Sequence, residues 1–184
     1  MIIYELSIDG NNATQLEFPL QEEQDKFLFL AEEKITNFLS VKEEWEEFMV
    51  LKKEPKIDMD FYDIMDIGVY IVNQRVYELL LPLLDETVEI LKLRSDDSDY
   101  YLLNIIHTTD CLDKENSEYT ALPGGQIMEY DFLCIDPQKI TCPIFRIPEL
   151  PYTVLITEQI IELFYLNQLK GLHLTDAEYV TSDI

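Results

Sequence analysis

The sequence predicts an α+β protein with a mainly antiparallel sheet and about three helices. Several short segments alternate apolar and polar residues, which is the pattern of strands with one buried face. In two other segments a short apolar run leads into apolar residues spaced i, i+3 and i+4, which predicts a strand followed directly by a helix. With 184 residues, 47% of them hydrophobic and 27% charged, the chain has the size and composition of one folded domain.

The first residues predict a β-hairpin. Apolar side chains alternate with polar ones over residues 2–8, which indicates a half-buried strand. Turn-forming residues follow at 9–12, so we expect the chain to return as a second strand over 15–18.

The next predicted element is an acidic helix over residues 41–51. Ser40 and Glu43 have the spacing of a capping box, and apolar residues then recur at helical intervals with glutamates between them. Together, the hairpin and this helix make residues 1–56 the N-terminal part of a single domain spanning residues 1–184.

An internal echo at a spacing of 84 residues predicts two strand-helix-strand units. The segments "VYIVNQRVYELL" (69–80) and "YTVLITEQIIELF" (152–164) each combine a short apolar strand, a capping residue and an amphipathic helix. The capping residues are Asn73 and Thr157, and a further strand follows each helix at the same offset. Gly171 stands where it would close the second helix at its C-terminus. Because short apolar helices resemble each other, chance remains the alternative to a true repeat.

Two more strand patterns lie in the middle of the chain. The runs "TVEILKL" and "YYLLNIIHT" flank the polar segment "RSDDSD" and predict a hairpin, and "QIMEYDFLCID" predicts another strand.

The charge of the chain restricts its partners. It has 37 acidic and 13 basic residues, a formal net charge of −24 with histidine neutral. Such a charge repels nucleic acid and anionic membranes, which are bound through Lys and Arg, and it favours a basic protein partner. An acidic surface that serves solubility alone is the alternative.

The sequence also predicts a cytoplasmic location. No run approaches the ~18 apolar residues of a membrane span, and the first residues lack the pattern of a signal peptide. The cysteines Cys111, Cys134 and Cys142 form no C-x-x-C, so we expect buried, reduced thiols.

The segment "IIHTTDCLD" (105–113) is the first candidate for an active site. It holds His107, Asp110, Cys111 and Asp113, so a metal-dependent or thiol hydrolase is one hypothesis. However, it has neither the helical i, i+4 pair nor the C-x-x-C of a metal site. The favoured interpretation is a strand end followed by an aspartate-rich turn. We therefore expect no catalytic residue, no metal and no cofactor.

Aromatic residues embedded in acidic sequence predict a surface that binds a partner. Between residues 17 and 66 there are fifteen acidic and six basic residues. Charge speeds the encounter with a basic protein, and a desolvated aromatic side chain prolongs the complex. A core position for Trp45, with the glutamates facing water, is the alternative. The predicted binding residues are Glu43, Glu44, Trp45, Glu46, Glu47, Asp58, Asp60, Tyr62 and Asp63.

The central and C-terminal sequence carries a resemblance to a known family. The stretches "DIGVYIVNQRVYELL", "YYLLNIIHTTDCLDKENS", "PIFRI" and "VLITEQIIELFYLNQLKGLHL" occur in this order. Over residues 60–176 the chain resembles a bacterial polymorphic-toxin immunity family, the eleventh of the usual list and formerly a domain of unknown function. Asp113, Glu115, Ser117 and Gly171 are closest to its pattern.

This resemblance implies a cytoplasmic protein that binds a cognate toxin and blocks it without catalysis. It also implies that Asp113 and Ser117 are turn residues whose side chains bond to the local backbone. The hydrolase hypothesis, and that of an acidic scaffold subunit in a larger assembly, remain as alternatives.

Overall fold

The computed structural model describes residues 3–8, 15–37, 39–53, 58–65, 69–84, 86–175 and 179–181. The helices are α1 (Gln21–Glu33), α2 (Gln74–Leu80) and α3 (Glu158–Asn167). The strands are β1 (Ile3–Ile8), β2 (Gln15–Glu17), β3 (Leu51–Lys52), β4 (Phe61–Ile64), β5 (Tyr70–Asn73), β6 (Val88–Leu93), β7 (Tyr100–Ile105), β8 (Glu118–Ala121), β9 (Ile127–Ile135), β10 (Ile144–Ile147), β11 (Leu150–Thr157), β12 (Leu172–Thr175) and β13 (Tyr179–Thr181).

The strands form three sheets. One has the order β3-β2-β4-β5-β7-β6, the second β10-β11-β1-β12 and the third β13-β9-β8. The pairs β2–β4 and β9–β13 are parallel and the other strand pairs are antiparallel. The predicted α+β class, with a mainly antiparallel sheet and three helices, is confirmed. The predicted hairpin around "RSDDSD" is β6 and β7, and "QIMEYDFLCID" contains β9.

Each echoing segment forms the predicted strand-helix-strand unit. β5 leads into α2 and then β6, and β11 leads into α3 and then β12. The two strands of a unit are not neighbours, because β7 lies between β5 and β6, and β1 lies between β11 and β12. Each inserted strand is antiparallel to both neighbours. Both units are therefore split β-α-β arrangements.

The core consists of three clusters stacked through the sheets. The first lies among α1, residues 41–50 and one face of the six-stranded sheet. The second joins the other face of that sheet to α2, α3 and the four-stranded sheet, and the third joins the four-stranded sheet to the three-stranded one. Successive residues of one strand enter different clusters, as Val154 and Leu155 do in β11. Strands covered on both faces explain the continuous apolar runs in the sequence.

The loop after α3 contacts the start of β4, and Asp60 at this point links the loop to Asn73 of the first unit. The buried Asp60 carboxylate accepts hydrogen bonds from the Lys170 N–H (2.8 Å) and the Asn73 Nδ2 (3.0 Å). The Lys170 carbonyl accepts from the N–H groups of Asp60 and Phe61, each at 3.1 Å. A Cβ at Gly171 would lie 2.6 Å from the Phe61 carbonyl oxygen, so only glycine allows this approach.

Two predictions for the N-terminal region are wrong. β1 and β2 do not form a hairpin, since they lie in different sheets; the predicted turn at 9–12 lies outside the described residues. Residues 41–51 are not a helix either. They form a turn over residues 42–44 and then extended chain, which reaches the edge of β6 through the Val50 N–H to the Arg94 carbonyl (2.9 Å).

Candidate functional site

The residues of "IIHTTDCLD" lie where β7 ends and the chain crosses towards β9 and β10. His107 is half-buried and Asp110 is exposed, whereas Cys111 is fully buried in the third cluster. Short bridges pair Thr108 with Arg146 and Leu112 with Ile135, so the segment joins two sheets.

The chemistry of this segment does not suit a hydrolase. Burial raises the pKa of the Cys111 thiol to about 12, so near neutral pH it is protonated and a poor nucleophile. Within the described part of the chain, no three His, Cys, Asp or Glu side chains come together as a group that could hold a metal ion.

Asp113 and Ser117 organise the turn that follows. Asp113 Oδ1 accepts from the N–H groups of Glu115 and Asn116, each at 3.2 Å, and its Oδ2 accepts from Asn116 Nδ2 at 2.7 Å. These bonds lower the pKa of Asp113, the Asn116 side chain contributing most. The Ser117 hydroxyl donates to the Asp113 carbonyl (2.6 Å) and accepts from the Cys134 N–H (2.8 Å), which ties the turn to β9. This is the local backbone bonding expected of Asx and Ser turns.

The acidic segment around β4 is divided between core and surface. Tyr62 is buried against Tyr100, with ring centroids 5.1 Å apart, and Asp60 is buried at the junction described above. Asp58 is exposed and pairs with Lys52 (2.8 Å). Asp63 lies in β4, and its side chain is outside the described part. Buried side chains offer little area to a partner, so Asp60 and Tyr62 do not enter the proposal below.

The glutamates around Trp45 face solvent, but Trp45 itself is half-buried. Its ring packs edge-on against Phe27 and Phe48, with centroids 6.2 and 5.0 Å away. Its Nε1 donates to the Lys92 carbonyl at 2.8 Å. Trp45 therefore anchors the extended segment on β6, while Glu43, Glu44, Glu46 and Glu47 are exposed.

A groove of about 440 Å³ runs between α1 and this extended segment. Its floor is apolar and its rim is charged, and Phe29 stands 64% exposed within it. The lining residues are Asp25, Lys26, Phe29, Leu30, Glu44, Glu46 and Phe48. Exposed apolar area enclosed by acidic groups is suited to a ligand that carries both an apolar and a cationic group.

Contacts between α1 and the extended segment hold the two walls of the groove together. Glu23 of α1 accepts from the Met49 N–H at 2.7 Å and pairs with Arg94 at 2.9 Å. Phe27 of α1 packs edge-on against Phe48, with centroids 5.6 Å apart. The walls are therefore fixed before any partner arrives, which lowers the entropic cost of binding.

Sequence reasoning found one wall of this groove and missed the other. Glu44 and Glu46 belong to the predicted binding set, whereas Asp25, Lys26 and Phe29 do not. The signal for the missed wall was Pro19 followed by an uninterrupted helix-forming stretch with Phe27, Leu30 and Ala31 at i, i+3 and i+4.

An acidic groove with an apolar floor, built on a layered α+β framework, is typical of a protein that binds other proteins. The chain belongs to an immunity protein family, Imm11, whose family model matches residues 9–179. Membership confirms the resemblance and implies a toxin partner and a role without catalysis. The match starts well before residue 60, so most of the N-terminal region, including both groove walls, is part of the family region. No curated protein matches the chain, and no described helix is long and apolar enough to cross a membrane.

Proposed function

We infer that this protein neutralises a basic cognate toxin by binding it through the groove between α1 and residues 43–48, without catalysis. The observation that carries this proposal is the exposed Phe29 within an acidic rim on a member of an immunity family. The proposal places the protein in the cytoplasm of the cell it protects.

Two physical effects support this choice of surface. The net charge of −24 attracts a basic partner over a distance of about one Debye length, roughly 8 Å at physiological salt. Once the surfaces meet, burial of Phe29 and the groove floor lengthens the life of the complex. If the toxin is a nuclease, the rim carboxylates would also occupy positions that nucleic-acid phosphates take in its site.

The first experiment is co-expression with the product of the neighbouring gene as the candidate toxin. We expect the toxin alone to stop bacterial growth, and co-expression to restore it and yield a stoichiometric complex on purification. Restored growth without a complex would overturn the proposal that the protein acts by binding the toxin. A stable complex with proteins that are harmless alone would favour the acidic scaffold.

Charge reversal tests the surface itself. The variant replaces by lysine the four exposed glutamates around Trp45, of which Glu44 and Glu46 line the groove: Glu43, Glu44, Glu46 and Glu47. We expect its association rate with an inactivated toxin to fall at least roughly tenfold at low salt and to lose most of its salt dependence. The matched control reverses four exposed acids elsewhere: Glu115, Glu118, Glu129 and Asp131. An equal loss of association rate in both variants would show that net charge alone causes the effect and that the groove is not the interface.

A further inference from the structure

The groove already contains one cation of its own. The Lys26 ammonium of α1 lies 3.7 Å from Glu22 Oε1 and 3.5 Å from Glu46 Oε2 on the opposite wall. All three side chains are at least half exposed, and exposed ion pairs of this kind add little to stability. The fold therefore does not depend on these pairs, and another cation could replace Lys26 beside the two glutamates.

The walls of the groove do not depend on Lys26. Glu23 joins α1 to Met49 and Arg94, and Phe27 packs on Trp45 and Phe48 below the groove. Lys26 reaches across the top on a flexible side chain, so it can leave the two glutamates without disturbing the walls.

We propose that, in the free protein, Lys26 occupies the position that a cationic side chain of the toxin takes in the complex. This inference rests on the proposed function and specifies what the groove binds. In the complex, a lysine or arginine of the toxin lies between Glu22 and Glu46, and Lys26 turns out to solvent. Because Lys26 and Phe29 are three residues apart on α1, their positions are separated by about one helical turn, roughly 5 Å. The bound segment therefore carries an apolar side chain near its cation, and this side chain covers Phe29.

The test measures the dissociation constant of the purified full-length protein with an inactivated form of the toxin that the co-expression experiment identifies. Lys26→Met keeps the apolar stem and removes the charge that the toxin must displace. We expect binding to tighten by roughly threefold to tenfold at low salt, with a smaller gain at high salt. Lys139→Met is the matched control, because Lys139 is equally exposed and pairs with an acid, Asp136, away from the groove. It should change the constant less than twofold.

A second variant tests the apolar half of the site. Phe29→Ala should weaken binding at least tenfold at every salt concentration, and the exposure of Phe29 keeps the fold intact.

The outcomes separate the two proposals. No complex with the unmodified protein at any salt concentration overturns the proposed function, and this inference with it. A complex that Lys26→Met leaves unchanged or weakens overturns the place-holding role alone. Equal gains from Lys26→Met and Lys139→Met also overturn it, because they reflect net charge.

Discussion

Two glycines with similar backbone angles have different roles. Gly171 (φ +94°) and Gly125 (φ +88°) both adopt the left-handed conformation that side chains disfavour. Around Gly125, in the turn between β8 and β9, nothing lies within 4 Å of a Cβ position, whereas at Gly171 the Phe61 backbone is in the way. The sequence suggested that Gly171 closes α3 at its C-terminus, but in the structure it does not. The left-handed residue after that helix is Gln168 (φ +52°), and Gly171 serves the junction of the two units.

A pair of alanine variants separates backbone strain from steric conflict. Gly125→Ala should cost about 1 kcal/mol of unfolding free energy, because it carries the left-handed penalty alone. Gly171→Ala should cost at least about 3 kcal/mol, because the new Cβ also forces α3 and β4 apart. Urea denaturation of both variants measures the difference. An equal loss of unfolding free energy in both variants would show that the Phe61 backbone moves away without cost, and that the close approach does not require glycine.

The sequence did not predict which acidic side chains are buried. Asp58 and Asp60 stand two apart in a segment of alternating character, and both were predicted to bind a partner. In the structure Asp58 faces solvent while Asp60 accepts bonds from Lys170 and Asn73. Those donors are distant in the chain, so local pattern could not identify Asp60 as a buried junction residue.

At the scale of elements, residues 40–50 show why a good helical pattern failed. A capping box would pair Ser40 with Glu43, but the Ser40 hydroxyl and the Val41 N–H both donate to Glu89 of β6. On a helix, Glu43 would also face Glu46 and Glu47, and like charges at i, i+3 and i+4 are unfavourable. Instead, Phe48 and Val50 form backbone hydrogen bonds with Arg94, just after β6, so tertiary contacts override the local signal.

Helix α1 was not predicted, because its start carries only weak sequence signals. Its N-cap, Leu20, makes no side-chain capping bond, so the usual start signal is missing. Its helical state is supported by Glu22 and Glu23 in the first turn and by the Gln21–Asp25 hydrogen bond of 2.8 Å. Its clearest sequence signal is the i, i+3, i+4 spacing of Phe27, Leu30 and Ala31, which are buried in the structure.

We predict that Glu89 fixes the start of the extended segment, at Ser40 and Val41, to β6. Its carboxylate accepts from Ser40 Oγ, the Val41 N–H (3.0 Å) and Nδ2 of the fully buried Asn104 (2.9 Å). Glu89→Ala should lower the unfolding free energy by about 1–3 kcal/mol, since buried donors lose their acceptor. Trp45 is the single tryptophan of the chain, so a red shift of its emission would report release of the segment.

The control for this variant is Glu86→Ala, an exposed glutamate just before β6. It should change stability by less than about 0.5 kcal/mol and leave the emission unchanged. If Glu89→Ala behaves in the same way, the segment is held by its aromatic contacts alone.

At the scale of the whole molecule, the units were predictable but their assembly was not. The echo located both strand-helix-strand units because strand and helix periods are local. The inserted strands come from elsewhere: β7 follows its unit directly, whereas β1 precedes its unit by more than a hundred residues. A pairing at such sequence separation leaves no trace in local periodicity, and the same holds for the pairing of β2 with β4.

Each stacked cluster contains at least one titratable group whose pKa is raised by burial. Tyr62 lies in the first cluster, Tyr70 in the second and Cys111 in the third. Burial raises the pKa of each to about 12, from ordinary values of 10.0 for tyrosine and 9.0 for cysteine. Each group therefore binds its proton more tightly in the folded protein, and its contribution to stability is complete below its ordinary pKa and lost as pH rises to about 12.

We expect stability to be insensitive to these groups below pH 9. It should begin to fall near pH 9 through Cys111 and near pH 10 through the two tyrosines, and should continue to fall up to about pH 12. Because each cluster loses support in this range, unfolding should be one cooperative transition, seen together by far-UV circular dichroism and by tyrosinate absorbance. Tyr70→Phe removes one titrating group, and with it the hydroxyl that bonds the Leu6 carbonyl at 2.6 Å. It should lower stability at neutral pH yet flatten the alkaline decline. An unchanged slope of stability against pH would mean that Tyr70 ionises without cost in the folded state. If tyrosinate absorbance rises at lower pH than the circular dichroism changes, the layers open separately.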